Sequence, residues 1–207
     1  MTKKLIVGVA GQAQEELDWV KKKIDERSPK EVGIELPIGY ENLEKISIKY
    51  GFFSAVADYV REKGASVLPL EFLHSANKQH ATNLAMYVRR GDITEDDLRA
   101  RLSSFKGNQR ADPGFFDPKV IAQSTFMGPN YEMALEILDE CPDLDAVMER
   151  QEAGYNTRRE QMISAARGAE PGIIVVGFGH SPVLHKSLAM YEHVLSPQAE
   201  ECMKKGE

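Results

Sequence analysis

Cysteine is scarce in this chain: Cys141 and Cys202 are the only two in 207 residues, and they stand alone in polar surroundings. That excludes a disulfide framework and a thiolate metal site, and points to a reducing, cytoplasmic setting. Long apolar runs are also missing. Leu5 to Ala10 is shorter than the ~7–15 residues of a signal-peptide core, and no segment approaches the ~20 residues that cross a bilayer. No excess of positive charge exists, because 26 Lys and Arg face 32 Asp and Glu for a net charge of -6. With no basic run and no aromatic-basic interleaving, nucleic acid is not an expected partner. A dinucleotide-binding G-x-G-x-x-G in the first turn and a P-loop G-x-x-x-x-G-K-[ST] anywhere are both lacking.

What is present is enough apolar material, 42% of residues, to bury the core of one domain over 1–207. Strand and helix alternate three times. Leu5 to Val9 precedes a helix from Glu15 to Asp25, in which Leu17, Val20 and Ile24 recur at helical spacing. Glu31 to Leu36 precedes a helix from Phe52 to Lys63, and Ser66 to Leu70 carries Pro69, which suits an edge strand. Ile173 to Val176 closes the sheet. This predicts an α/β fold: a small, mostly parallel sheet with crossover helices and a large all-helical insertion, residues 75–167, before the last strand.

Within the insertion Thr94 is a helix N-cap, and Leu98 and Leu102 face inward. Ser103 to Asn130, with Gly107, Pro113, Gly114, Pro118, Gly128 and Pro129, reads as loop with one short helix near Pro118 to Ser124. Helix resumes at Tyr131 to Glu140 and Asp143 to Ala166. The tail after Pro197 is expected to fray, with His185 and His193 on a last helix. Apolar faces of the insertion helices either pair two chains as a homo-oligomer or pack on the sheet.

The stretch with most chemical information is Gly177-Phe178-Gly179-His180, directly after the β-branched run and before Ser181-Pro182. Ser181 is placed to cap a helix beginning at Pro182. Strand-to-helix junctions at the carboxyl ends of parallel strands line the ligand crevice of open α/β sheets. Gly8, Gly11, Glu35, Glu71 and His180 share that rim. Glu35 lies between Ile34 and Leu36 on a strand covered by helices, so its carboxylate must be paired, hydrogen-bonded, metal-bound or protonated. Glu71 follows Leu70 in the same way. It either joins Glu35 as base or ligand, or caps a helix or pairs with an arginine. Glu71 and His74 also form Glu-x-x-His, a metal-ligand spacing if both lie on one helical turn. Gly8, Gly11, Gly177 and Gly179 either cradle a phosphate or nucleotide in backbone nests or allow tight turns. Of the arginines at 150, 158 and 159, one turned inward would neutralise Glu35 or grip an anionic group.

These pieces together resemble the TraB and Tiki group, which belongs to a superfamily with ChaN-type haem-uptake proteins and erythromycin esterases. Gly8 to Gly11 stands where the group has G-T-x-H, and Val32 to Leu36 where it has a strand ending in glutamate. Arg158-Arg159-Glu160-Gln161-Met162 occupies the R-N-x-x-M place and Gly177 to His180 the second G-x-x-H. The resemblance implies a hydrolase-type cleft for a small-molecule or peptide ligand, metal-dependent with Mn, Co or Zn. It implies Glu35 and His180 as ligand or base, and Arg158 as the orienting group. The first histidine of the group's pair falls on Gly11. Tight metal binding would then need a further ligand from Gln14, Glu71 or His74. The alternatives are a ligand-binding or regulatory protein that keeps the cleft without turnover, and a phosphate binder at the glycine turns.

Overall fold

The short β-branched runs form one five-stranded, all-parallel sheet in the order β3-β2-β4-β1-β5. The strands are β1 (Lys4–Val9), β2 (Glu31–Pro37), β3 (Ser66–Glu71), β4 (Ile173–Gly177) and β5 (Tyr191–Leu195). This computed structural model describes residues 4–11, 13–38, 40, 51–110 and 118–205. Eight helices are present among them: α1 (Gln14–Arg27), α2 (Phe52–Glu62), α3 (Leu73–Arg90), α4 (Glu95–Arg110), α5 (Pro118–Glu140), α6 (Leu144–Ala169), α7 (Ser181–Ser187) and α8 (Pro197–Lys205). None is long and apolar enough to cross a membrane.

The described residues divide into two compact units. One draws on Met1–Ile38, Tyr50–Phe72 and Arg159–Glu207, the other on Gly39–Lys49 and Leu73–Arg158. The first holds the sheet. One row across it runs Pro69, Ile34, Val175, Val7, Val194 in register. β4 is the most central strand, and Ile173 to Val176 are fully buried there, which is why that run reads as continuously apolar. Pro69 sits on β3, an edge strand that tolerates its missing N–H. From β1 the chain steps to β2 and then β3 in one direction, whereas from β4 it steps over β1 to β5 in the other. Right-handed crossovers therefore put α1 and α2 on one face and α7 on the opposite one. On the α7 face Ile6, Ile174, Val176, Leu184, Leu188 and Tyr191 pack with Met162 and Ala166 of α6.

The second unit is helical. Ala81, Ala85, Leu98, Ala134, Ile137 and Val147 fill its core. Thr94 and Asp97 cap α4 reciprocally: the Asp97 N–H donates to Thr94 Oγ1 at 3.1 Å, and the Thr94 N–H donates to Asp97 Oδ2 at 2.8 Å. The carboxyl end of α5 is tied by Arg89 of α3, whose guanidinium donates to the carbonyls of Leu138 at 2.6 Å and Cys141 at 2.7 Å.

Three expectations are corrected. The loop expected at Ser103 to Asn130 is largely helix: α4 continues to Arg110 and α5 runs from Pro118 straight through Pro129, while residues 111–117 lie outside the described set. The buried stripe of Tyr131, Ala134, Ile137 and Leu138 outweighs the local breaking tendency of Gly128 and Pro129. The sheet does not close at Val176, because β5 follows and places His193 on a strand. The tail is the helix α8, with the Ser196 hydroxyl accepting the Ala199 N–H at 3.0 Å as its cap.

Candidate functional site

β4 and β1 are neighbours whose following helices lie on opposite faces, so their carboxyl ends form the topological switch point of the sheet. Glu35 reaches this point from β2. Between Ile34 and Pro37 the β2–β3 register slips, because Ile34 pairs with Pro69 and Pro37 with Glu71. The extra residue bends the strand where Glu35 sits, and such irregularities re-aim side chains.

The Glu35 carboxylate is 10% exposed and its Oε2 accepts the backbone N–H of Gly177 at 2.6 Å. Its Oε1 lies 3.6 Å from Nε2 of His180, whose side chain is 6% exposed. The pair thus bridges the ends of β2 and β4. A tight turn delivers the imidazole: the His180 N–H donates to Gly177 O at 2.9 Å, and the Phe178 N–H donates to Val9 O at 2.8 Å. Arg159 holds the same turn, its Nη2 donating to the Gly179 carbonyl at 3.1 Å.

Beneath the turn lies Ser181. Its hydroxyl donates to Phe178 O at 3.1 Å and sits 2.9 Å from His193 Nε2 of β5. His193 stacks on His185 with ring centroids 5.3 Å apart, and burial, then the His185 charge, hold its pKa below the usual value. Ser181 is therefore the first residue of α7 rather than its cap; His180 takes the N-cap position without a side-chain cap bond.

The glycine turns are occupied from within. Glu16 of α1 is fully buried and accepts the Ala10 N–H at 2.7 Å and the Gly11 N–H at 2.6 Å, and the Ser196 hydroxyl donates to it as well. Gly11 has φ +78, which favours glycine there. Gly8 permits the close passage of α7, since an added Cβ would lie 2.4 Å from Ser181 Oγ. Gly177 gives its N–H to Glu35, and Gly179 is exposed.

The structure brings together Glu35, Gly177 and His180, with Arg159 attached through Gly179. Arg158, one residue earlier on α6, belongs to the second unit. Glu71 is buried at the end of β3 and its carbonyl accepts the Ile38 N–H at 2.7 Å. His74 is exposed in the first turn of α3, so Glu71 and His74 do not share a helical turn. Gln14 opens α1 and donates to Asp18 at 3.1 Å. Glu16 is an addition that motif spacing does not reveal, because it acts on backbone amides of a turn.

For a divalent ion, Glu35 and His180 supply one carboxylate and one imidazole, fewer than the three protein ligands of catalytic zinc sites. Among the described residues no group of three or more His, Cys, Asp or Glu side chains converges, and one Glu35 oxygen already holds an amide. This donor set does not fit a tightly held metal.

No protein-family model, no curated protein and no solved structure matches this chain.

Proposed function

We propose that the chain is a TraB/Tiki-like protein with a hydrolase-type cleft, in which Glu35 and His180 form an acid–base pair that works on an ester or peptide bond. The observation that carries this reading is the nearly buried carboxylate set 3.6 Å from an imidazole at the switch point of a parallel sheet. The order of short motifs along the chain supports it independently.

In this chemistry His180 takes the proton of the attacking water and Glu35 stabilises the imidazolium that forms. Gly177 fixes the carboxylate through its N–H, so little reorganisation accompanies proton transfer. Arg159 is a positioning residue, holding the Gly179 carbonyl and with it the turn that carries His180. No step runs through a metal, because the donors present do not fit one.

A second reading, ligand binding without turnover, is favoured by Gly11 standing where the resembled group has its first histidine, and by the low exposure of both members of the pair. The phosphate reading draws less support, since the amides of Ala10, Gly11 and Gly177 already serve carboxylates of this chain.

Hydrolysis of p-nitrophenyl esters of graded chain length and of fluorogenic peptides, after dialysis against a chelator, tests the proposal. Turnover that falls by about 10²-fold or more in His180→Ala is expected. Equal rates in wild type and variant overturn it, and absence of turnover with retained ligand binding points to the second reading.

A further inference from the structure

The Glu35 carboxylate and the His180 imidazole are both nearly buried, yet 3.6 Å separates Oε1 from Nε2. That is longer than the about 2.7–3.2 Å of an N–H···O hydrogen bond. With so little water around them, an imidazole and a carboxylate attract strongly and ordinarily close to contact. The gap is set by the turn from Gly177 to His180, because its position fixes the imidazole. Two side-chain holds act on that turn from opposite sides of β4 in the strand order. From β2, Glu35 Oε2 accepts the Gly177 N–H at 2.6 Å. From β5, on the far side of β1, His193 Nε2 lies 2.9 Å from Ser181 Oγ, and that hydroxyl donates to Phe178 O at 3.1 Å. A hydroxyl both gives and takes hydrogen bonds, so Ser181 can join His193 and Phe178 in one chain. Ser181 is fully buried over Gly8 of β1, where an added Cβ would meet its Oγ at 2.4 Å. The Phe178 N–H donates to Val9 O of β1 at 2.8 Å and so acts in the same direction, away from β2.

We propose that the His193–Ser181 relay is the positioning device of this site: it draws the turn toward β5 and holds the His180 imidazole short of a hydrogen bond with Glu35. Its use in catalysis rests on the hydrolytic reading. A base must give up its proton near the working pH, and a ring closed onto the carboxylate holds that proton too tightly. Kept just apart, Glu35 still stabilises the imidazolium without locking it. His193 and Ser181 are positioning residues here, acting on His180 through the Phe178 carbonyl. Charged groups meet the turn from β2, as Glu35, and from α6, as Arg159, whose Nη2 donates to Gly179 O at 3.1 Å. His185 of α7 stacks on His193. All three stay in place when Ser181 is substituted, so a change at His180 then reports the relay.

Histidine titration by NMR tests this in the full chain, with the His180 ring signal identified by its loss in His180→Gln. Ser181→Ala changes no charge and cuts the relay in the middle. The His180 midpoint is expected to rise by about 0.5 pH unit or more as the imidazole closes onto Glu35. A far-downfield imidazole N–H proton signal, the mark of a histidine–carboxylate hydrogen bond, is expected to appear with it. An unchanged or lowered midpoint overturns the proposal. Where His180 does not titrate while the chain stays folded, the N–H signal decides alone. Its appearance only in the variant supports the proposal; its absence there, or its presence already in wild type, overturns it. Should Ser181→Ala lose the wild-type circular dichroism spectrum, Ser181→Ala combined with His193→Phe, which strands no ring nitrogen, takes its place and is judged by the N–H signal in the same way. Turnover is not read in these spectra. A raised midpoint in a protein that hydrolyses nothing counts against the hydrolytic reading and leaves the relay standing, whereas an unchanged midpoint beside intact hydrolysis counts against the relay alone.

Discussion

Oε2 of Glu35 accepts the backbone N–H of Gly177 at 2.6 Å while its Oε1 faces His180 Nε2 at 3.6 Å, so one carboxylate both fastens the end of β4 and sets the environment of the histidine that follows it. Structure and chemistry are separable at this residue by choice of substitution. Glu35→Ala leaves a nearly buried amide without an acceptor and is expected to cost about 2–3 kcal/mol, whereas Glu35→Gln keeps an acceptor and costs about half as much. Urea unfolding of the two variants checks the ordering, and equal losses contradict it.

Glycines at 8 and 11 fail for different reasons when a methyl is added. At Gly8 the new Cβ meets Ser181 Oγ at 2.4 Å and Leu195 Cδ2 at 2.7 Å, so Gly8→Ala must displace α7 or β5 and costs about 1–3 kcal/mol. At Gly11 nothing lies within 4 Å, but φ is +78, and Gly11→Ala costs about 1 kcal/mol through backbone strain alone. The Gly8 substitution should also shift the His193 ring signals in NMR spectra, through Ser181, while Gly11→Ala leaves them in place.

Arg89 carries the carboxyl end of α5, with Nη2 on the carbonyls of Leu138 and Cys141 and Nε on Cys141 at 3.1 Å. Arg89→Ala removes charge-assisted bonds at a helix terminus and should destabilise by about 1.5–3 kcal/mol. Arg89→Lys restores a point charge without the fork and recovers only part. Full recovery by lysine shows that the charge suffices without the planar geometry.

His193 gives a pH dependence with a definite sign. Its pKa is held below the usual 6.5 by burial and, second, by His185, so the unfolded chain binds this proton more readily than the folded one. Stability tied to the neutral ring is complete above about pH 6.5 and is lost as pH falls below that and through the lowered folded value. Unfolding free energies at pH 7.5 and 5.5 should differ less in His193→Gln than in wild type. An unchanged difference means that His193 is not the source of the pH dependence.

Much of the sheet was legible because its central strands are buried on both faces and therefore read as unbroken apolar runs, as at Ile173 to Val176. β5 was not, because Tyr191-Glu192-His193-Val194-Leu195 is a half-buried edge strand with a salt-bridged Glu192 and a stacked histidine. Pro129 misled in the opposite direction, since a breaker is a local signal and α5 is held by its buried face. At the site, Glu35 and His180 were legible as polar residues bounding apolar strands. Glu16 was not: it reads as an ordinary acidic first-turn residue, and only the fold shows its carboxylate on the amides of the preceding turn. Arg159 was one of three arginines open to an inward role, and the bond from its Nη2 to the Gly179 carbonyl is visible only in the fold.

Under the proposed chemistry Glu35 and His180 act as one unit in hydrolysis. The direct measurement is kcat/KM for the most responsive ester or peptide in wild type, Glu35→Gln, His180→Ala and the double variant. The double variant is expected to lose no more than His180→Ala alone, because removing the base leaves the carboxylate nothing to act on. Losses that multiply in the double variant, or single variants as fast as wild type, contradict a shared role.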